Sequence, residues 1–225
     1  IIEDFERLNE RSKASGTGEH GRIVVGFYHS LSSSRFRIAL DDFRRRYFDI
    51  DVELIELPFV ELKASVLTGI IDVAIVLGDV CACEVLASMA LWSERILVAL
   101  PRDHHLADRP IIYWPELKGE RFLLSHSDPG PDMRNILLRH LAAPSDHPDL
   151  VTRRLSRESI LSEVAAGQGI ALECESAGGL TSFSIVFRPV HDGSGATRLG
   201  YIACWRPEDT NPVLKPFLEA LRRRG

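Results

Sequence analysis

Cysteine is scarce in this sequence, and no hydrophobic run is long. The four cysteines, Cys81, Cys83, Cys174 and Cys204, form neither a CxxC pair nor a zinc spacing. Cys81-Ala-Cys83 is too close for an easy disulfide. Cys174 and Cys204 lie in or beside apolar stretches, where cysteine behaves as a small hydrophobe. That usage points to a reducing, cytoplasmic compartment. No apolar run reaches the roughly 18 residues of a membrane span, and no secretory signal is visible, so no membrane partner is expected. Basic charge is short as well: 27 Lys and Arg against 32 Asp and Glu leave a net charge of −5. No basic face is large enough for this chain itself to hold nucleic acid. Ser127-Asp128 has histidines nearby but no GxSxG elbow, so no catalytic residue is assigned and no enzyme is expected.

What is present is ordinary globular material, with 45% hydrophobic and 26% charged residues. Residues 1–13 place Ile1, Phe5 and Leu8 on one face of an amphipathic helix that starts abruptly, as if the natural chain extends further. Residues 14–20, ASGTGEH, read as a linker. From 21 to 77 strands and helices alternate: strands at 22–27, 51–57 and 72–77, helices at 34–47 and 59–68. That order implies parallel strands with right-handed crossovers. The serines at 32–34 can cap the first helix, and a strand feeding a hydroxyl-rich loop can also hold a small polar ligand.

The stretch 78–94 looks less regular, and a second unit follows. Strands are expected at 94–101, 121–125, 151–155, 170–174, 183–190 and 198–205. A polar, proline-containing loop covers 104–115, and His126-Ser127-Asp128-Pro129-Gly130 is a strong turn signal. Helices are expected at 131–142 and at 157–166, the latter capped by Ser156; a last helix is expected to be capped by Asn211, with Pro212 at its first position. The fold class is therefore α/β, in two units whose ligands would bind at the carboxyl ends of the strands.

An ordered set of short motifs then stands out. Gly21-Arg22-Ile23, Val25-Gly26, Phe43-Arg44, Tyr47 and Val52-Glu53-Leu54 come first. Glu61-Leu62, Leu67, Gly69, Ile71-Asp72-Val73-Ala74-Ile75 and Glu94-Arg95-Ile96-Leu97-Val98 follow. After Pro101 come His104-His105-Leu106-Ala107 and Leu117-Lys118-Gly119. Val164, Ala166-Gly167-Gln168-Gly169-Ile170-Ala171-Leu172 and Asn211-Pro212-Val213-Leu214 with Phe217-Leu218 complete it. With these, residues 21 to 222 resemble the effector-binding (regulatory) domain of a LysR-type transcriptional regulator.

The resemblance implies a type II periplasmic-binding-protein-like fold. Two Rossmann-like subdomains, 21–93 plus 201–225 and 94–200, would be joined by two crossing segments with a ligand cleft between them. Residues 1–20 would be the end of a linker helix and a linker, with a DNA-binding winged helix-turn-helix upstream of this chain. Implied partners are a small-molecule effector, such as a small carboxylate or aromatic acid, a second copy in a dimer or tetramer through helix 34–47, and DNA through that upstream domain. By position, the effector residues would be His29, Ser30, Leu31 and Ser32, Pro58 and Phe59, Ser125, His126 and Ser127, and Leu172, Glu173 and Cys174.

The chain departs from the family pattern at Phe48 and at Glu173-Cys174-Glu175, where an apolar stretch is expected. An acid at 173 facing the pocket would repel a carboxylate effector and favour an amine or polyol; the expectation is that Glu173 points to solvent. No cofactor or metal is expected: His29, His126 and Cys174 lack ligand spacing, and His104-His105 reads as a solvated turn. A free-standing solute-binding protein of a transporter is the alternative with the same fold.

Overall fold

Ile23, Val25 and Phe27 alternate along the first strand and are at most 2% exposed. That period of two marks a strand with one face turned to a core. The computed structural model describes residues 21–28, 34–78, 85–143, 147–176 and 184–223. The expected linker helix, Cys81 and Cys83, and the loop at His29–Ser33 lie outside them. The chain divides into two units: one runs to Trp92 and resumes at Gly200, and the other is Ser93–Leu199.

The first unit contains β1 (Gly21–Phe27), α1 (Ser34–Arg46), β2 (Ile50–Glu56), α2 (Phe59–Thr68) and β3 (Val73–Leu77). It also holds the start of β4 (Ala87–Pro101), the end of β11 (Arg198–Trp205) and α5 (Leu214–Arg222). β1 lies between β2 and β3, parallel to both, and β11 runs antiparallel to β3. α1 packs on α5 through Phe43 and Phe217, whose rings meet edge-on at 5.0 Å. Phe27, Phe36, Trp92 and Tyr201 continue this aromatic core with ring separations of 6.0, 6.5 and 5.2 Å. At Gly26 a Cβ would stand 2.6 Å from Leu62 Cδ2 and 2.7 Å from Ile71 Cδ1, so glycine lets α2 lie close on β1. Asp72, 3% exposed, accepts the Val24 N–H at 2.8 Å.

The second unit contains the rest of β4, β5 (Ile112–Tyr113), β6 (Arg121–Ser125), α3 (Gly130–Leu141), β7 (Asp149–Arg153) and α4 (Arg157–Ala165). β8 (Ala171–Cys174), β9 (Ile185–Asp192), β10 (Gly195–Ala196) and the start of β11 complete it. β8 and β9 pair antiparallel with β4, while β6 and β7 are parallel to each other. A parallel bridge, Phe122↔Ile170, sets β6 alongside the entry to β8. Alternation sorts the side chains onto two faces. Val98, Leu100, Phe122, Leu124, Leu172 and Cys174 pack with Met133 and Leu137 of α3. Ala99, Leu123 and Ala171 pack with Ile160, Leu161 and Val164 of α4.

Three expectations need correcting. The irregular stretch 78–94 gives way at Ala87 to a strand of 15 residues. Its small and charged residues hide the pattern: Glu94 is 5% exposed and accepts the Ser176 N–H at 3.0 Å. The loop 104–115 carries β5 and leads into a 3-10 turn, Trp114–Leu117. Trp114 is buried there, its Nε1–H donating to Thr197 Oγ1 at 2.8 Å. The last helix starts at Leu214; Asn211 instead accepts the Val213 N–H and donates to the Arg22 carbonyl, tying the helix entry to β1.

Candidate functional site

The parallel strands of the first unit end on one edge. Register from Gly21↔Ile50 to Phe27↔Glu56 brings the carboxyl ends of β1 and β2 together. Tyr28, just beyond β1, is buried; its hydroxyl accepts the Leu77 N–H at 3.3 Å. Its ring meets Phe59 edge-on with centroids 6.0 Å apart. Pro58, exposed, and Phe59, half-buried, form the start of α2. Pro58 gives that helix start no side-chain hydrogen bond. The backbone N–H groups of an uncapped first turn suit an external anion, which the helix dipole also favours. His29, Ser30, Leu31 and Ser32, expected on this same edge, lie outside the described residues.

In the second unit the corresponding edge follows β6. Ser125 Oγ donates to the Leu155 carbonyl at 3.0 Å and accepts the Ser127 N–H at 3.1 Å, so this hydroxyl braces its own loop. The His126 N–H donates to the Arg153 carbonyl at 2.7 Å, and the His126 and Ser127 side chains are exposed. α3 starts directly against this loop. A Cβ on Gly130 would stand 1.9 Å from the Ser125 carbonyl oxygen, so only glycine fits there. The residue before it, Pro129, gives α3 no side-chain cap either.

Leu172, Glu173 and Cys174 occupy different surroundings. Leu172 and Cys174 are 4% and 1% exposed and fill the core on the α3 face. Glu173 points to the other face, and the expectation that it faces solvent is overturned. It is 5% exposed and accepts from Arg157 Nε at 2.8 Å. Burial pushes its carboxyl above the usual carboxylate range, while the Arg157 guanidinium pulls the other way. Arg157 Nη2 is itself buried with no hydrogen-bond partner among the described residues. Sequence reasoning passed over Arg157. Its signal is a cation in the first turn of a helix, where the dipole disfavours one, after a Ser156 cap that accepts the Ser159 N–H. A cation in that place implies a nearby anion, and Glu173 is that anion.

A family model described as the LysR substrate binding domain matches residues 16–225. The chain belongs to this family. Among characterised relatives, the Hca operon transcriptional activator HcaR of Escherichia coli K12 is 23% identical over 224 residues, covering 100% of this chain and 74% of that protein. The crystal structure of reduced OxyR superposes with a TM-score of 0.76 at 22% identity, covering 92% of this chain and 97% of that one. The BenM effector-binding domain with its effector benzoate gives 0.73 at 23%, covering 90% of each chain. These likenesses give the LysR substrate-binding domain its fold, the type II periplasmic-binding-protein-like fold.

Seen as such a domain, the chain has two helix starts without a side-chain cap, α2 and α3, each entered from the carboxyl end of a parallel strand; at α3 the Gly130 N–H is given to the Ser127 carbonyl and Pro131 has none to give. Around them stand an aromatic ring, Phe59, and the exposed polar side chains of His126 and Ser127. Among the described residues no helix is long and apolar enough to cross a membrane.

Proposed function

We propose that this LysR substrate-binding domain senses a small carboxylate effector, with the carboxyl strand ends of each unit supplying the contacts. The observation that supports the effector class is the start of α2 at Pro58-Phe59, which no side chain caps. The objection from Glu173 loses its force, because that carboxylate is buried against Arg157 and presents no free negative charge. BenM takes benzoate, an aromatic acid of this class. His29, Ser30, Leu31 and Ser32 belong to the site in this reading, with Pro58, Phe59, Ser125, His126 and Ser127. Leu172, Glu173 and Cys174 support it from behind.

In the same reading the parent protein is a cytoplasmic regulator without catalytic activity. It self-associates as a dimer or tetramer, and it binds DNA through an upstream helix-turn-helix. Effector binding shifts the population of domain conformations and with it the geometry of the DNA-binding heads. The transporter alternative is not favoured, since the relatives that match are regulators.

A thermal-shift screen of aliphatic acids, aromatic acids, amines and polyols tests the effector class. A ligand that binds the folded state raises the melting temperature, and the rise grows with the logarithm of its concentration relative to Kd. Acids are expected to raise it; a response to amines or polyols alone would overturn the carboxylate reading. Ser30→Ala should then weaken binding in calorimetry with little change in melting temperature. Equal affinity in that variant would remove Ser30 from the site.

A further inference from the structure

The turn after β4 carries a cluster that the effector reading does not use. Glu120, immediately before β6, extends its carboxylate between His104 and His105. Glu120 Oε2 is 3.3 Å from His104 Nε2, and Oε1 is 3.5 Å from His105 Nε2. The two imidazole rings are 4.4 Å apart, and one ligand atom from each of the three residues lies within 4.8 Å of the others. Backbone bonds fix both arms: Ala107 N–H to His104 O at 2.8 Å, His104 N–H to Pro101 O at 3.1 Å, and Glu120 N–H to Leu117 O at 3.3 Å. His104 and Glu120 are 14% and 20% exposed, and His105 is 67% exposed, so the cluster is supported from inside and open to solvent on one side.

We propose that His104, His105 and Glu120 form a zinc site. Two nitrogens and one carboxylate suit Zn²⁺, with water as the fourth ligand. Ligands held at about 2.0–2.1 Å in a tetrahedron stand roughly 3.4 Å apart. The observed 3.3 and 3.5 Å already have that spacing. Those two contacts go to different Glu120 oxygens, so an ion takes one of the oxygens and draws the two Nε2 atoms together in their ring planes, from within 4.8 Å to that spacing, by side-chain rotation. It does alter one contact. His104 Nδ1 accepts the Leu106 N–H at 3.3 Å, so the neutral ring carries its hydrogen on Nε2. Zinc on Nε2 moves that hydrogen to Nδ1, and this long bond is given up.

The site is separate from the proposed effector contacts. It lies before β6, whereas Ser125, His126 and Ser127 follow the end of that strand. Five residues of strand span roughly 13–17 Å. Bound zinc would cross-link the turn at 101–107 to the entry of β6 and stiffen the second unit. Its failure or success is independent of the carboxylate reading.

The test uses the whole chain after treatment with a chelator. Titration with ZnCl₂ in a calorimeter should show one site per chain, and zinc should raise the melting temperature. His105→Ala removes an exposed ligand and should weaken binding roughly tenfold or more without lowering the zinc-free melting temperature. Glu120→Gln should do the same. Histidine side-chain NMR should show the His104 hydrogen moving from Nε2 to Nδ1 on loading. The chain has eight histidines, so binding that persists unchanged in His105→Ala would belong elsewhere and would overturn the site, as would no binding at all.

Discussion

Glu173 and Glu175 stand two residues apart, yet they meet opposite physics. Both face an arginine. Glu173 pairs with Arg157, the two side chains being 6% and 13% exposed. Glu175 pairs with Arg95, at 42% and 44%. Burial pushes the Glu173 carboxyl up, whereas the hydrogen bond from Arg95 holds the Glu175 carboxyl down. Glu173 lies in β8, and Glu175 is the first residue past its end. What separates them is the cover: the start of α4 closes over position 173, and position 175 lies beyond the strand end. An ion pair is therefore defined less by its two residues than by what lies above them. A buried pair is a constraint, because its members depend on each other; an exposed pair is close to optional.

The largest break in this comparison is Arg157→Ala. It leaves the Glu173 carboxyl buried in the second unit without its cation. Removing one member of a buried pair costs about 3–5 kcal/mol. The urea midpoint should fall accordingly, with an unchanged slope. A loss below about 1 kcal/mol would show that water reaches Glu173 and that the two pairs are alike.

Next in size is a difference in sign with pH. A carboxyl raised in the folded state keeps its proton where the unfolded chain, with an ordinary value near about 4.3, has released it. Its contribution to stability is complete below that ordinary value and is lost as pH rises through the folded one. A lowered carboxyl does the reverse: its contribution is present above the ordinary value and is lost as pH falls through the folded one. Glu173→Gln should therefore improve relative to the natural chain as pH rises above about 4, and Glu175→Gln should worsen as pH rises toward about 4 from below and then hold level. Melting temperatures of both variants from about pH 2 to 8 check this; parallel curves over the whole range would refute the contrast.

The same contrast shows what could be read from sequence. The order of strands and helices was legible because apolar periodicity and glycine stops report on local structure. Helix 59–68 with Gly69 at φ +77° and the Ser156 cap are examples. β4 was half missed, because Ser88, Ser93 and Glu94 break its apolar pattern and the partners that accommodate them are far along the chain. Glu94 is satisfied by Ser176, 82 residues away. The orientation of Glu173 was missed for the same reason: nothing local announces that α4 covers it. His104-His105 gave only a turn, since Glu120 reaches it through the fold. The helix starts at 59 and 130 were legible, because strand, turn and helix are consecutive there. Residues whose partners are close in sequence could be placed; buried charges and convergent side chains could not.

The smallest effect belongs to the exposed pair, and it sharpens the comparison most cleanly. Arg95→Ala should cost about 0.2–1 kcal/mol at low salt, the range of surface pairs. Charges this exposed are screened within about 8 Å at physiological ionic strength and within about 3 Å at 1 M. The cost of Arg95→Ala should thus shrink toward zero between low salt and 1 M NaCl. That of Arg157→Ala should hardly change, because ions do not reach the buried carboxylate. Two urea titrations on each variant, at the two salt concentrations, separate the cases. If salt erased both losses equally, the cover over Glu173 would not be what distinguishes it. If salt erased neither, Arg95 would be acting through its aliphatic stem packed on neighbouring side chains, and its charge would be incidental.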